Sequence, residues 1–152
     1  MMADVSIDPG IEACEAIVAR IKSGEAYSLP VVVEYTEQTV DRFEQSQQTQ
    51  VDVVPIESEQ LDETLDVECR TSHQIRVVVR KKVDAIDSPD VPAFKLLMRQ
   101  LWQRVNNFNS SDGRVKVWEC DMEAKSIPDK KTLTESLLCV SSVLLRVEVE
   151  AP

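Results

Sequence analysis

Apolar residues recur at helical spacing in two stretches of the sequence. The first stretch follows Asp8 and Pro9, which suit the cap and the first position of a helix, and Gly24 gives it a natural end. The second stretch follows Ser88-Pro89 and carries larger side chains. The pattern therefore predicts two helices, each with one buried side. The apolar residues are Ile11, Cys14, Ile17, Val18 and Ile21 in the first helix, and Phe94, Leu97, Met98, Leu101, Trp102 and Val105 in the second.

Five other stretches have the character of β-strands: residues 29–36, which form an extended run rich in Val, and residues 49–56, 74–83, 114–122 and 135–150, which alternate between apolar and polar positions. Each is predicted to direct successive side chains to opposite faces of a sheet. In the third strand Ile75, Val77 and Val79 face one way and Arg76, Val78, Arg80 and Lys82 the other; in the fourth, Val115 and Val117 oppose Lys116, Trp118, Cys120 and Met122; in the fifth, Leu137, Cys139, Ser141, Val143, Leu145, Val147 and Val149 share one face.

The order of these elements indicates the fold class. Strands that follow one another directly pair antiparallel as a rule, and helices with one apolar side pack on a sheet. We therefore expect an α+β fold, a mostly antiparallel sheet of about five strands with two main helices packed on one face. Residues 1–152 form a single domain in this interpretation, which suits their number.

An acidic stretch, residues 57–72, separates the second and third predicted strands. Its basic residue is Arg70, and only Leu61, Leu65 and Val67 could pack against a core. Two interpretations stay open: a solvated acidic loop, or an arm that becomes ordered against a partner. The acids of this stretch are Glu57, Glu59, Asp62, Glu63, Asp66 and Glu68.

The net charge of −10 and the pI of about 4.6 argue against a protein that grips DNA or an anionic membrane. Residues 1–8 have neither the basic nor the apolar part of a targeting signal, and no stretch approaches the ~20 apolar residues of a membrane span. We expect no membrane association and a protein that is made in a cytoplasm.

The sequence contains few of the residue patterns that are typical of a catalytic or metal-binding site. His73 is the single histidine, and the four cysteines, Cys14, Cys69, Cys120 and Cys139, match no zinc spacing. Three glycines form no phosphate-binding loop. We expect reduced, mostly buried thiols, no cofactor, no metal and no enzymatic activity.

Several short sequence segments, in the order in which they occur, resemble those of a known protein family. They are the Ala-Arg-Ile turn within residues 17–21, Leu29-Pro30, Val53-Val54-Pro55, the strand from His73 to Lys82, and the long apolar last strand. Together they resemble the tail terminator group among the tail-completion proteins of long-tailed bacteriophages. The resemblance covers roughly residues 11–149.

The resemblance implies a structural role in the virion. Proteins of this group form a ring, usually of six subunits, on the head-proximal end of the finished tail tube. The ring ends tube polymerisation and presents the joint to the head connector and neck proteins. DNA passes through the channel without specific binding. The implied partners are other copies of the chain, the major tail tube protein and the connector proteins, and the implied locations are the virion tail and, during assembly, the host cytoplasm.

The charge asymmetry suggests a subunit contact, in which the acids of residues 57–72 meet Arg76, Arg80 and Lys82 of a neighbouring copy. Two other functions stay open. One is a head-completion or neck protein on the connector side of the joint. The other is a cytoplasmic regulatory domain that binds a protein or a small ligand, because antiparallel sheets with helices on one face carry many such functions.

Overall fold

A computed structural model describes residues 8–24, 26–37, 49–61, 70–123 and 127–150, with the backbone alone for residues 57–61. It confirms an α+β fold with a mostly antiparallel five-stranded sheet. The elements are α1 (Pro9–Lys22), β1 (Val31–Tyr35), β2 (Thr49–Leu61), β3 (Arg70–Lys82), α2 (Asp90–Val105), β4 (Val115–Met122), α3 (Lys130–Ser136) and β5 (Leu138–Glu150).

The strands lie in the order β1-β2-β3-β5-β4. Strands β2, β3, β5 and β4 pair antiparallel, but β1 runs parallel to β2. The expectation that directly joined strands pair antiparallel was therefore wrong for the first pair. Parallel neighbours need a connection of about a dozen residues or more, and residues 36–48 separate these two strands.

Both main helices pack on the same face of the sheet, which we call the helix face. Helix α1 lies against β1, β2, β3 and β5, whereas α2 lies against β4 and β5 and contacts α1. The alternation predicted for the third and fifth strands is confirmed, because Ile75, Val77 and Val79 are buried on this face, as are the odd-numbered residues of β5 from Cys139 to Val149. The core thus lies between one face of the sheet and two helices.

Helix α1 begins and ends as its flanking residues predict. The Asp8 carboxylate accepts a hydrogen bond from the Gly10 backbone N–H at 2.7 Å, and Pro9 occupies the first turn. At the other end the Tyr27 hydroxyl donates to the Ile21 carbonyl oxygen at 2.6 Å. A Cβ atom at Gly24 would lie 2.1 Å from that hydroxyl oxygen. A side chain at position 24 would therefore displace the Tyr27 hydroxyl from its hydrogen bond to Ile21.

Helix α2 supplies the largest part of the core from the helix side. Phe94, Leu97, Met98, Leu101 and Val105 are buried as predicted. Trp102 is half-buried, and its indole N–H donates to the Cys120 carbonyl oxygen at 2.8 Å, which fixes the helix against β4.

Part of the acidic stretch that was predicted to be a loop lies in β-strands. Residues 57–61 continue β2 and residues 70–72 begin β3, and the two segments pair with each other. A ladder continues as long as the backbone groups of the two strands find partners, and acidic residues do not by themselves end it. The loop prediction is therefore wrong for these residues, whereas the arm interpretation stays a prediction, and residues 62–69 lie outside the described part.

The prediction for β4 was wrong after its third residue. The register against β5 shifts between Val117 and Glu119. One extra residue reverses the alternation. Cys120 is consequently buried on the helix face opposite Leu145, while Trp118 is 55% exposed on the other face.

A third helix replaces the start of the predicted last strand. Asp129 caps α3 by accepting from the Thr132 backbone N–H at 3.1 Å, and Leu137 ends the helix with a φ of 51°. Strand β5 therefore begins at Leu138, three residues later than predicted at residue 135. The short α3 has one buried residue, Leu133, too few for a helical pattern to be visible in the sequence.

Replacing Phe94 with alanine should lower the free energy of unfolding by about 3–5 kcal/mol, because a fully buried aromatic side chain leaves a cavity. Leu96→Ala is the matched control on the same helix, since Leu96 is 47% exposed, and we expect a change within about 0.5 kcal/mol. Urea unfolding measures both values. Equal losses for the two variants would show that α2 does not hold the core.

Candidate functional site

The face of the sheet opposite the helices, here the open face, carries the basic cluster predicted to bind a neighbouring copy. Arg76 lies there but is already paired. Its Nε and Nη2 donate to the two carboxylate oxygens of Glu123 at 2.6 and 2.9 Å. Glu123 also accepts from the Ser142 hydroxyl at 2.8 Å. The hydrogen bonds from Arg76 hold the pKa of the Glu123 carboxyl below its usual value.

This pairing shows that Arg76 already has an acidic partner in its own chain. Two parallel hydrogen bonds between a guanidinium and a carboxylate pair both charges. Arg80 is half-buried and its Nε has no hydrogen-bond partner. Lys82 is exposed at the end of β3. For Arg76, Arg80 and Lys82 alike the contact with a neighbouring copy stays a prediction.

Along the sheet, Arg80 lies far from the two predicted acids whose backbone the structure describes. Glu57 and Glu59 lie in β2 opposite Gln74 and Ser72, whereas Arg80 lies opposite Gln50. From Gln74 to Arg80 the strand advances about 20 Å, at roughly 3.4 Å per residue. The remaining predicted acids, Asp62, Glu63, Asp66 and Glu68, lie outside the described residues.

His73 is part of the core and not of an exposed site. It is 3% exposed on the helix face, opposite Val147. Its Nε2 lies 2.7 Å from the Thr71 hydroxyl oxygen. Burial lowers the pKa of His73, and the nearby Asp8 carboxylate opposes that shift in part. No group of residues that could hold a metal ion occurs in the described part of the chain.

Three of the four cysteines are free and buried, as predicted. Burial raises the pKa of Cys14 and of Cys120 to about 12, and that of Cys139 to about 11. Neutral buried thiols are poor nucleophiles and poor metal ligands. The prediction for Cys69 falls outside the described residues.

A depression lies between α1 and the outer edge of β1, and we call it the β1 groove. It consists of two adjoining parts of about 730 and 450 Å³, which share Lys22, Val33 and Glu34. Apolar side chains line most of it, and Glu15 and Glu34 lie at the end near Tyr35. The apolar lining includes Val18, Ile21, Leu29, Val31 and Val33.

A smaller cavity of about 310 Å³, the arginine pocket, lies where the C-terminal ends of α1 and α2 meet. Arg20 Nε donates to the Arg104 carbonyl oxygen at 2.9 Å, and Arg104 Nε donates to the Arg20 carbonyl oxygen at 3.0 Å. The partial negative charge of two helix ends thus holds two guanidinium groups side by side. Tyr27, Gln100 and Gln103 complete the lining.

Neither arginine of this pocket forms an ion pair with a carboxylate of the described residues. Arg104 Nη2 donates to the Ser23 hydroxyl at 2.7 Å, and the Arg20 guanidinium lies 5.2 Å from the centroid of the Phe108 ring. Sequence reasoning missed this pair. Each arginine lies in the last turn of its helix, which is a visible signal, but the meeting of the two helix ends is a tertiary feature.

Compared with known proteins, the chain matches no protein-family model, and a search of the curated proteins found none that matches. Within the residues that the structure describes, no helix has the length and apolar character to cross a membrane.

The buried His73 predicts a pH dependence of stability. Its folded pKa is lowered, so above its unfolded pKa of about 6.5 both states are neutral, and the contribution to stability is complete. As the pH falls below about 6.5, the unfolded state takes up a proton that the folded state does not, and stability is lost. The wild type should therefore lose stability relative to His73→Gln between pH 7.5 and 5, by at most about 1.4 kcal/mol per pH unit.

Urea unfolding of both proteins across that pH range measures this difference, and the effects of the carboxylates cancel because both proteins carry them. Parallel stability curves for the two proteins would show that His73 titrates alike in the folded and unfolded states.

Proposed function

We propose that this chain is a structural virion protein that forms a ring on the completed tail tube of a long-tailed bacteriophage, ends its polymerisation and provides the joint to the head connector. The short sequence segments that resemble the tail terminator group, and the order in which they occur, support this proposal. The described residues also offer a groove and open strand edges at which other copies of the chain could bind.

The observation that carries the proposal is the position of the two outer strands. Strands β1 and β4 form opposite ends of the sheet. Two different surfaces on opposite sides of a subunit permit head-to-tail contacts between copies, and such contacts close into a ring when the rotation between copies allows it.

The two edges are not equivalent. The edge of β4 is partly covered by the preceding loop, where the Val117 N–H donates to the Phe108 carbonyl oxygen and the Ser110 N–H donates to the Val115 carbonyl oxygen, both at 2.8 Å. Among the described residues no strand or loop covers the outer edge of β1 in this way. The more available surface for a neighbouring subunit is therefore β1.

Net charge is compatible with a channel for DNA. A chain with a net charge of −10 repels the phosphate backbone over the Debye length, about 8 Å at physiological salt. A ring of such subunits would let DNA slide past without holding it.

The β1 groove favours one of the alternatives as a second candidate, a regulatory domain that binds a peptide of another protein. A groove between a strand edge and a helix is a common geometry for peptide recognition. A head-completion protein on the connector side also stays compatible with the open strand edges.

Purified chain mixed with tail tubes that lack a cap should bind one end of each tube as a ring and stop further growth on addition of tube protein. Negative-stain electron microscopy shows the ring, and tube lengths report the arrest. Filled heads without tails are the control that separates a tail cap from a neck protein. A chain that stays monomeric and leaves tube growth unchanged would contradict the proposal.

A further inference from the structure

Among the described residues, no partner meets the backbone groups along the outer edge of β1. The Thr49 N–H donates to the Pro30 carbonyl oxygen at 3.0 Å, and the Thr36 N–H donates to the Val53 carbonyl oxygen at 3.1 Å. A parallel ladder is evenly spaced, so the even-numbered residues between these points turn their backbone groups toward β2. The N–H and C=O groups of Val31, Val33 and Tyr35 therefore point away from the sheet.

The β1 groove provides a surface for the side chains of an added strand. Val33 is 4% exposed, and Val31 and Tyr35 are half-buried beside it. Val18 of α1 lines the opposite wall. A strand that pairs with β1 would place alternate side chains against these apolar groups while its backbone met the outward groups of β1.

The arginine pocket continues the groove beyond the start of β1. Ala26 and Tyr27 line both depressions. The connecting segment is fixed in place, because the Ser28 N–H donates to the Gln100 side chain at 2.8 Å and the Ser28 hydroxyl donates to the Ala93 carbonyl oxygen at 2.7 Å. The groove therefore has an apolar middle, a basic end at Arg20 and Arg104, and an acidic end at Glu15 and Glu34.

We propose that the β1 groove and the arginine pocket together bind an extended acidic segment from a second copy of this chain, which adds as a strand to β1 and directs carboxylates to Arg20 and Arg104. This inference rests on the proposed ring, and it names the contact between neighbouring subunits.

Charge and pattern select the segment. Residues 61–68 combine three apolar side chains, Leu61, Leu65 and Val67, with four acids, Asp62, Glu63, Asp66 and Glu68. Leu65 and Val67 are two residues apart, the spacing of one face of a strand. The acids need basic partners, and Arg76 already binds Glu123. Arg20 and Arg104, which have no acidic partner among the described residues, replace Arg76 as the predicted partners.

The charges that line the groove favour contact between the segment's acids and the arginine end. Glu15 lies near Tyr35 at the other end and repels carboxylates there. Lys22, which is exposed and lines both parts of the groove, also attracts carboxylates.

A fluorescein-labelled peptide with the sequence of residues 61–68, titrated with the full chain, tests the contact by fluorescence anisotropy. We expect saturable binding with one peptide per chain. A peptide of the same composition, with its three apolar residues placed next to each other, is the control for simple charge attraction. Absence of binding by the native sequence, or equal binding of the two peptides, would overturn the proposal.

Two further peptides test strand pairing directly, each methylated on alternate backbone nitrogens. A strand that joins an edge uses every second N–H, so only one of the two peptides should lose binding. Equal behaviour of the two peptides would exclude pairing with β1.

A pair of chain variants tests the arginine pocket. Arg104→Gln removes the positive charge, whereas Arg104→Lys keeps it. Both variants lack the guanidinium group. We expect Arg104→Gln to weaken peptide binding roughly 1.5- to 5-fold, the range for a partly exposed charge pair, and Arg104→Lys to retain most of the binding. Thermal unfolding confirms that both variants fold. Equal binding by wild type and Arg104→Gln would remove the pocket from the site.

The outcome is independent of tail capping. Rings on tail tubes without peptide binding would overturn this contact and leave the proposed function in place. Peptide binding by a chain that never caps a tube would sustain the contact and overturn the ring.

Discussion

The structure depends on the pairing of β3 on both of its sides. All 13 residues of β3 pair with β5, and most pair with β2. This central ladder satisfies the backbone of the three longest strands and fixes which side chains face the helices. A slip of one residue would move Ile75, Val77 and Val79 from the core to the open face, so the register is held by their burial. The central strands have their backbone groups paired and their register fixed. Contacts with other copies would therefore involve the outer strands.

Much of this architecture could be predicted from the sequence. Both main helices, their buried sides and the alternation of β3 follow from periodicity, since each stretch is long enough to show its pattern. The sequence could not reveal the shift between Val117 and Glu119, because one extra residue in β4 has meaning only against β5. Nor could it reveal that β1 runs parallel to β2, since strand direction depends on the path of the connection.

The candidate site was less predictable than the fold. The sequence places Arg76, Arg80 and Lys82 on one face of a strand, and the structure confirms that face. It could not show that Glu123, 47 residues away, would take Arg76 as its partner. The meeting of Arg20 and Arg104 is likewise a consequence of how two helix ends pack, and their separation of 84 residues hides it from any local pattern. Burial and long-range pairing thus decide which charges remain available to a partner.

The central claim is that copies of the chain associate through the outer edge of β1, and amide hydrogen exchange resolved to single residues tests it most directly. In the isolated chain the amides of Val32 and Glu34, which face β2, should exchange slowly, while those of Val31, Val33 and Tyr35 exchange fast. In the assembled ring all five should exchange slowly. Fast exchange at Val31, Val33 and Tyr35 in the ring would contradict the account.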